Sequence, residues 1–258
     1  MIVISWEEFL KGYLKENGTA AMSIGVFDGV HEGHQYLLNK IINNKDNLSI
    51  ILTFKDNPRL FFKDKTYPGD IYTISQKLKT FSLMGVDIVI LIDFSYEFSK
   101  LSGKEFLYLI TENCDISMLT LGQNFRCGNR GMTSSYESKN ILESQNIKVD
   151  IEKMTHFNNQ PVSSTLIREA IVAGNLKRAE SMLKRVFSLD IAGIPQIIRD
   201  KTIIIETNSI KQVLPPQGYY VVSTGSSIDT QECKINIDTS KIVLPLQKVQ
   251  KLDFIKFI

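Results

Sequence analysis

From Ala21 to about residue 153, short aliphatic and β-branched runs alternate with longer segments of helical period. The runs Ala21 to Val26, Leu48 to Phe54, Val86 to Ile92, Ser117 to Leu121 and Ile147 to Ile151 are apolar almost throughout and are bounded by Gly, Asn or Asp. Such runs predict strands buried on both faces. Between them, Leu37, Leu38, Ile41 and Ile42 predict a helix after the first strand. Leu78, Phe81 and Leu83 predict one before the third, and Phe106, Leu107 and Ile110 one before the fourth. Strands alternating with amphipathic helices predict an α/β fold with a parallel sheet, which takes its ligand at the carboxyl ends of the strands.

Residues 163 to 185 read as two further helices separated by Gly174, the second opened by Asn175 and carrying Leu176, Ala179, Met182 and Leu183 on one face. After Arg185 the pattern changes to short strands, Ile203 to Ile205, Tyr219 to Val222, Ile235 to Ile237 and Ile242 to Leu244, split by Gly, Pro, Ser and Asp. A boundary near 186 follows, dividing the chain into 1–185 and a small β domain, 186–258.

Composition adds exclusions. Thirty Lys and Arg against 28 Asp and Glu leave a net charge of +2, which gives no electrostatic reason to expect nucleic acid or a membrane, so any phosphate site is local. No apolar run reaches the roughly 18 to 20 residues that span a bilayer. Met1 to Ile4 runs on into Glu7 and Glu8 without a basic leader, and a soluble cytoplasmic protein is expected. Cys114, Cys127 and Cys233 are odd in number and far apart, which predicts reduced structural thiols and no metal site. The sequon Asn17 to Thr19 then carries no glycan.

The chemistry concentrates where the first strand meets the first helix, in Gly25-Val26-Phe27-Asp28-Gly29-Val30-His31-Glu32-Gly33-His34. The whole chain has three histidines, and two of them stand here three residues apart. Gly29 and Gly33 let backbone approach a ligand, the N–H groups of the helix start favour an anion, and His31 and His34 share the first turn. These features describe a phosphate site with two imidazoles aimed at it. The spacing is not the HExxH of a zinc protease. Downstream, Ser163-Ser164-Thr165-Leu166-Ile167-Arg168 opens a helix with hydroxyls, amides and a guanidinium on one side, a set suited to a polyphosphate. His156, in a polar loop, reads as solvated.

GVFDGVHEGH resembles the GxFDGxHxGH signature of the nucleotidylyltransferase superfamily, and SSTLIR resembles its downstream partner motif. Leu52 to Phe54, Asp93 to Phe106 and Leu121 to Arg126 resemble further blocks of one branch, the prokaryotic bifunctional riboflavin kinase/FAD synthetases, in order over about residues 20 to 190. The resemblance implies a Rossmann-like adenylyltransferase that joins FMN to the AMP of ATP, with Mg²⁺ on the phosphates, releasing FAD and pyrophosphate. It implies catalytic roles for His31, His34 and Arg168. Gly25, Phe27, Asp28, Gly29, Gly33, Ser163, Ser164 and Thr165 would bind the nucleotide, and Asn57, Arg59 and Asn124 the flavin. Asp28 reads equally as a turn-forming residue, and Asn124 as a turn asparagine. The family's TFxPHP is here Thr53-Phe54-Lys55-Asp56-Asn57-Pro58-Arg59, with Asp56 and Asn57 in place of Pro and His. Phe61, Phe62, Tyr67 and Tyr72 mark a flap where a flavin ring could stack, or else an ordinary packing or subunit contact.

The C-terminal segment resembles that family's β-barrel kinase in Pro215 to Tyr220 but lacks its Pro-Thr-Ala-Asn box after Ile191-Ala192-Gly193. It is expected to be a reduced, barrel-like scaffold without kinase activity, with a structural or dimer-forming use. Two other readings stay open: an adenylyltransferase for a different phosphate acceptor, and a non-catalytic flavin- or nucleotide-binding regulator.

Overall fold

The computed structural model describes residues 1–15, 18–226, 229–246 and 252–258, so Asn17 of the sequon lies outside them. The chain forms two compact units, Met1–Lys65 with Lys77–Pro161, and Thr66–Gln76 with Val162–Ile258. Compactness therefore divides the chain at other places than the change of pattern at 186, because the two helices before that point lie with the C-terminal strands.

The first unit holds a six-stranded sheet of β1 (Ile2–Ser5), β2 (Ala20–Ile24), β3 (Leu48–Phe54), β4 (Ile88–Ile92), β5 (Ile116–Gly122) and β6 (Lys148–Glu152). Every pairing is parallel, in the order β1-β4-β3-β2-β5-β6. All five residues of β2 are buried, as a central strand covered on both faces requires. The chain moves outward from β2 to β3 and β4, then returns to lay β5 on the other side of β2. That reversal opens a crevice at the carboxyl ends of β2 and β5. The five expected strands are present, β3 with the expected ends and the other four with ends shifted by up to two residues. β1 lay outside the sequence reading because an edge strand of four residues with only Ile4 buried carries no period to read.

Among the described residues, the α-helices that join these strands are α1 (Trp6–Leu10), α2 (Glu32–Ile42), α3 (Pro58–Phe61), α4 (Ile74–Met84), α5 (Tyr96–Lys100), α6 (Gly103–Asn113) and α7 (Ser135–Glu143). Leu37, Leu38 and Ile41 of α2 and Phe106, Leu107 and Ile110 of α6 are buried as their spacing predicts. Helix α4 differs: Leu83 is 80% exposed, and Lys77 and Phe81 are its buried residues. Leu83 stands two residues past Phe81, about 200° around the helix, whereas Lys77 shares the face of Phe81. Capping boxes start α1, α6 and α7 at Ser5/Glu8, Ser102/Glu105 and Ser134/Glu137. Hydrogen bonds from the serines hold all three glutamates below their usual pKa.

The second unit contains α8 (Ser164–Val172) and α9 (Leu176–Leu183) with seven strands. These are β7 (Ser188–Asp190), β8 (Ile197–Arg199), β9 (Thr202–Glu206), β10 (Gly218–Gly225), β11 (Thr230–Ile237), β12 (Lys241–Pro245) and β13 (Phe254–Phe257). They form one antiparallel sheet in the order β7-β13-β10-β11-β12-β9-β8, curled as a half-barrel. Asn175 caps α9 as expected, its side chain accepting from the Arg178 amide at 3.2 Å. Burial pushes the Cys114 thiol up to about 12 and raises that of Cys127, so neither is a reactive thiolate. No helix among the described residues is long and apolar enough to cross a membrane.

Candidate functional site

The loop after β2 is tightly constrained backbone. Phe27, Gly29 and Val30 take φ of 50°, 76° and 37°, a left-handed conformation that costs glycine little. For Phe27 and β-branched Val30 it costs on the order of 1–3 kcal/mol each. Both side chains are buried, at 2% and 0% exposure, and the Val30 amide donates to the Phe27 carbonyl at 3.1 Å. Packing thus holds a strained turn at the crevice. Asp28 is buried within it at 3% exposure.

The turn delivers His31 to the N-cap of α2, where its backbone is extended and its side chain makes no capping bond. A position that Ser, Thr or Asp ordinarily fills to satisfy first-turn amides is given to an imidazole. His34 follows one turn on, and the two rings stack with centroids 3.6 Å apart and planes 20° apart. The Phe27 ring meets the His34 ring edge-on at 5.3 Å. Gly33 has a steric reason for its place: a Cβ there would stand 3.0 Å from Thr155 Oγ1 and 3.3 Å from the His31 ring. Gly25 likewise leaves room for the Phe27 ring, which a Cβ would meet at 3.0 Å. The glycine between the two histidines lets the His31 ring lie close over the start of the helix.

Sequence reasoning missed Lys77. Its side chain is buried at 4% exposure, and its ammonium donates to the Phe54 carbonyl at 3.0 Å and the Val26 carbonyl at 3.4 Å. It ties the exit of β3 to the exit of β2, immediately before the histidine loop. A helical search for apolar faces passes over a lysine, but a charge on the same face as Phe81 was the available signal. Lys77→Met is expected to lower unfolding free energy by about 1–3 kcal/mol, read by urea denaturation, because two half-buried carbonyls lose a charged donor.

The flavin candidates are placed less uniformly. Asn57 caps α3, its Oδ1 accepting from the Arg59 amide at 3.1 Å, and Arg59 pairs with Asp64 at 2.7 Å. Asn124 is exposed in the turn after β5 and donates to Met154 Sδ at 2.9 Å. Phe61 and Phe62, 40% and 61% exposed, gather around Phe94 with centroids 5.2 and 5.6 Å from it. The flap aromatics are not one cluster: Tyr67 and Tyr72 belong to the second unit and lie under guanidinium groups, those of Arg168 and Arg185, at 4.7 and 4.3 Å. His156 is exposed, in a two-residue strand of a small hairpin.

In the second unit Ser163 caps α8, its Oγ accepting from the Leu166 amide at 3.2 Å, while Ser164 and Thr165 occupy the first turn. Arg168 is buried at 5% exposure; its Nε donates to the Gly69 carbonyl at 2.9 Å and its Nη2 to the Tyr67 hydroxyl at 3.2 Å.

The parallel sheet that reverses its order at β2 and β5, with the histidine pair at the head of α2, is a Rossmann-like fold. The chain belongs to the FAD synthetase family, which it matches over residues 13–166. It is 35% identical over 181 residues to the bifunctional riboflavin kinase/FMN adenylyltransferase of Buchnera aphidicola from Schizaphis graminum, covering 68% of this chain and 58% of that one. The protein of the same description from Haemophilus influenzae is 27% identical over 209 residues, covering 78% and 68%. The chain thus spans somewhat over half the length of the Buchnera relative. A Streptococcus pneumoniae crystal structure described as a macrolide-efflux protein shares the fold across the whole chain and 90% of its own, with a TM-score of 0.82 and 19% identity.

Proposed function

We propose that the protein is an FMN adenylyltransferase, with residues 1–185 as the transferase module and 186–258 as a non-catalytic β module. The observation that carries this reading is the His31–His34 stack at the head of α2, presented by a strained, buried turn in a chain of the FAD synthetase family. The relatives described as FMN adenylyltransferases support the choice of acceptor.

An FMN phosphate oxygen attacks the α-phosphorus of ATP; the new P–O bond replaces the bond to the β-phosphate bridge, and pyrophosphate leaves with the electron pair. ATP enters as its Mg²⁺ complex, the ion being part of the substrate. The reaction needs position and charge stabilisation more than covalent help. Imidazole N–H groups of His31 and His34 and the first-turn amides of α2 face the charge that develops on the phosphate oxygens. Arg168, with Ser164 and Thr165, holds the β- and γ-phosphates, a role supported by the SSTLIR motif and by the guanidinium's fixed plane. The exposed Phe61 and Phe62 offer ring faces to the isoalloxazine, and Asn124 a polar contact. The partners are small molecules, and a cytoplasmic setting fits the buried thiols of Cys114 and Cys127.

Purified protein given FMN, ATP and Mg²⁺ is expected to form FAD and pyrophosphate, resolved by chromatography. Adenylylation of another phosphate acceptor, with FMN untouched, would replace flavin in this reading; ATP binding without turnover on any acceptor would leave a regulator.

A further inference from the structure

Arg168 does not reach its position through its own helix alone. The segment 66–76 leaves the first unit, runs through the second and returns, and it is this strap that grips the guanidinium. The Gly69 carbonyl accepts from Nε, the Tyr67 hydroxyl accepts from Nη2, and the Tyr67 ring lies beneath the cation. The Tyr67 hydroxyl in turn donates to Asp70 Oδ1. Two hydrogen bonds and a ring face fix the plane of the guanidinium, which Arg168 alone, on a long flexible stem, would not do.

The strap is held from its other side by the connection between β9 and β10, with Ser188 and Asp190 of β7. Asp70 bridges Gln212 in parallel register, its amide donating to the Lys211 carbonyl at 3.0 Å and its carbonyl accepting from the Val213 amide at 2.8 Å. Gln212 is 2% exposed, and its amide nitrogen reaches the Ile71 carbonyl at 2.8 Å, Gln76 Oε1 at 3.1 Å and the Ser188 carbonyl at 3.1 Å. Its oxygen accepts from the Asp190 amide at 2.6 Å, and Thr73 donates to Asp190 Oδ2 at 2.5 Å. Gly69 sits so close to this junction that a Cβ would stand 2.7 Å from both the Lys211 carbonyl oxygen and the Val213 nitrogen. No side chain fits there, and φ of 127° is itself a glycine conformation.

We infer that Gln212, Gly69 and Tyr67 are positioning residues for Arg168, so that the β9–β10 connection sets the affinity for the nucleotide phosphates without touching them. The chain of contacts is Gln212 to Asp70 and Ile71, to Gly69 and Tyr67, to Arg168. This inference rests on the assignment of Arg168 to the ATP phosphates.

The test is a double-mutant cycle on the full chain, read as the dissociation constant of a non-hydrolysable ATP analogue with Mg²⁺ by calorimetry. Gln212→Ala removes the hub but strains the fold; Tyr67→Phe keeps the ring and deletes one oxygen. Each is expected to weaken the analogue by roughly fivefold to thirtyfold, the scale of coupling between contacting residues, with FMN affinity unchanged. In an Arg168→Ala background neither change is expected to weaken it further. Penalties that add in that background, or full affinity in both single variants, overturn the inference. An Arg168→Ala protein of undiminished affinity overturns it together with the phosphate role of Arg168. A coupled cycle in a protein that makes no FAD supports it, and the acceptor assignment alone falls.

Discussion

Replacing His34 by alanine is expected to lower turnover of FMN and ATP by roughly 10² to 10³, the usual loss when one preorganised transition-state donor is removed. FMN affinity is expected to stay unchanged, because the lost interaction strengthens only as charge builds on the phosphate oxygens. His34 is the more separable of the two histidines. His31 is buried at 5% exposure beside the space that Gly33 leaves, so its removal opens a cavity as well as deleting a donor. His34 stacks on His31 and meets Phe27 edge-on, which makes His34→Asn the control: an amide N–H remains while the aromatic packing is lost. Partial recovery of kcat by asparagine, with a melting temperature near that of the alanine variant, separates chemistry from packing. A His34→Ala enzyme of normal rate removes the histidine pair from the mechanism.

The histidine loop was legible in the sequence because its chemistry is local. Gly25, Gly33 and the two imidazoles lie close together in the chain, and each packs against a neighbour within that stretch, Gly33 against Thr155 as well. The buried strands were legible for a similar reason, since β2 and β3 are apolar regardless of register. What escaped were residues whose role comes from distant partners. Lys77 reads as the polar side of a helix until Val26 and Phe54 place their carbonyls beside it, 51 and 23 residues away. Tyr67 and Tyr72 share a segment with Phe61 and Phe62 and read as one aromatic flap, yet they serve arginines more than a hundred residues later. Gln212, in a polar-looking turn with no period, is among the most connected side chains of its unit. Local patterns identify strands, caps and phosphate loops; cross-chain polar contacts have no sequence period at all.

Riboflavin given with ATP and Mg²⁺ is expected to remain riboflavin, and the reason lies in what occupies the start of the C-terminal sheet. Phosphorylating a flavin hydroxyl takes a backbone cradle for the nucleotide phosphates, oxygen ligands for the ion, and a residue that orients the hydroxyl. Between β7 and β8 the chain instead makes a plain turn: the Ile194 amide donates to the Ile191 carbonyl at 3.2 Å and the Ala192 amide to Asp190 Oδ1 at 3.2 Å. Gly193 has φ of 78° and no atom within 4 Å of where its Cβ would be, so it serves the turn and no close approach. The next threonine, Thr202, donates its hydroxyl to the Arg199 carbonyl at 2.6 Å, and Thr207 donates to the Thr239 carbonyl at 2.9 Å, so both are engaged in shaping turns. Asp200, Asp229 and Asp238 lie in three separate strand connections, while Asp190 accepts from Thr73 in the junction that holds the strap. The measurement is FMN released from riboflavin by the His34→Ala protein, in which slow adenylylation lets any FMN accumulate. Sustained FMN formation there would mean that the turn after β7 rearranges into a phosphate cradle when nucleotide binds.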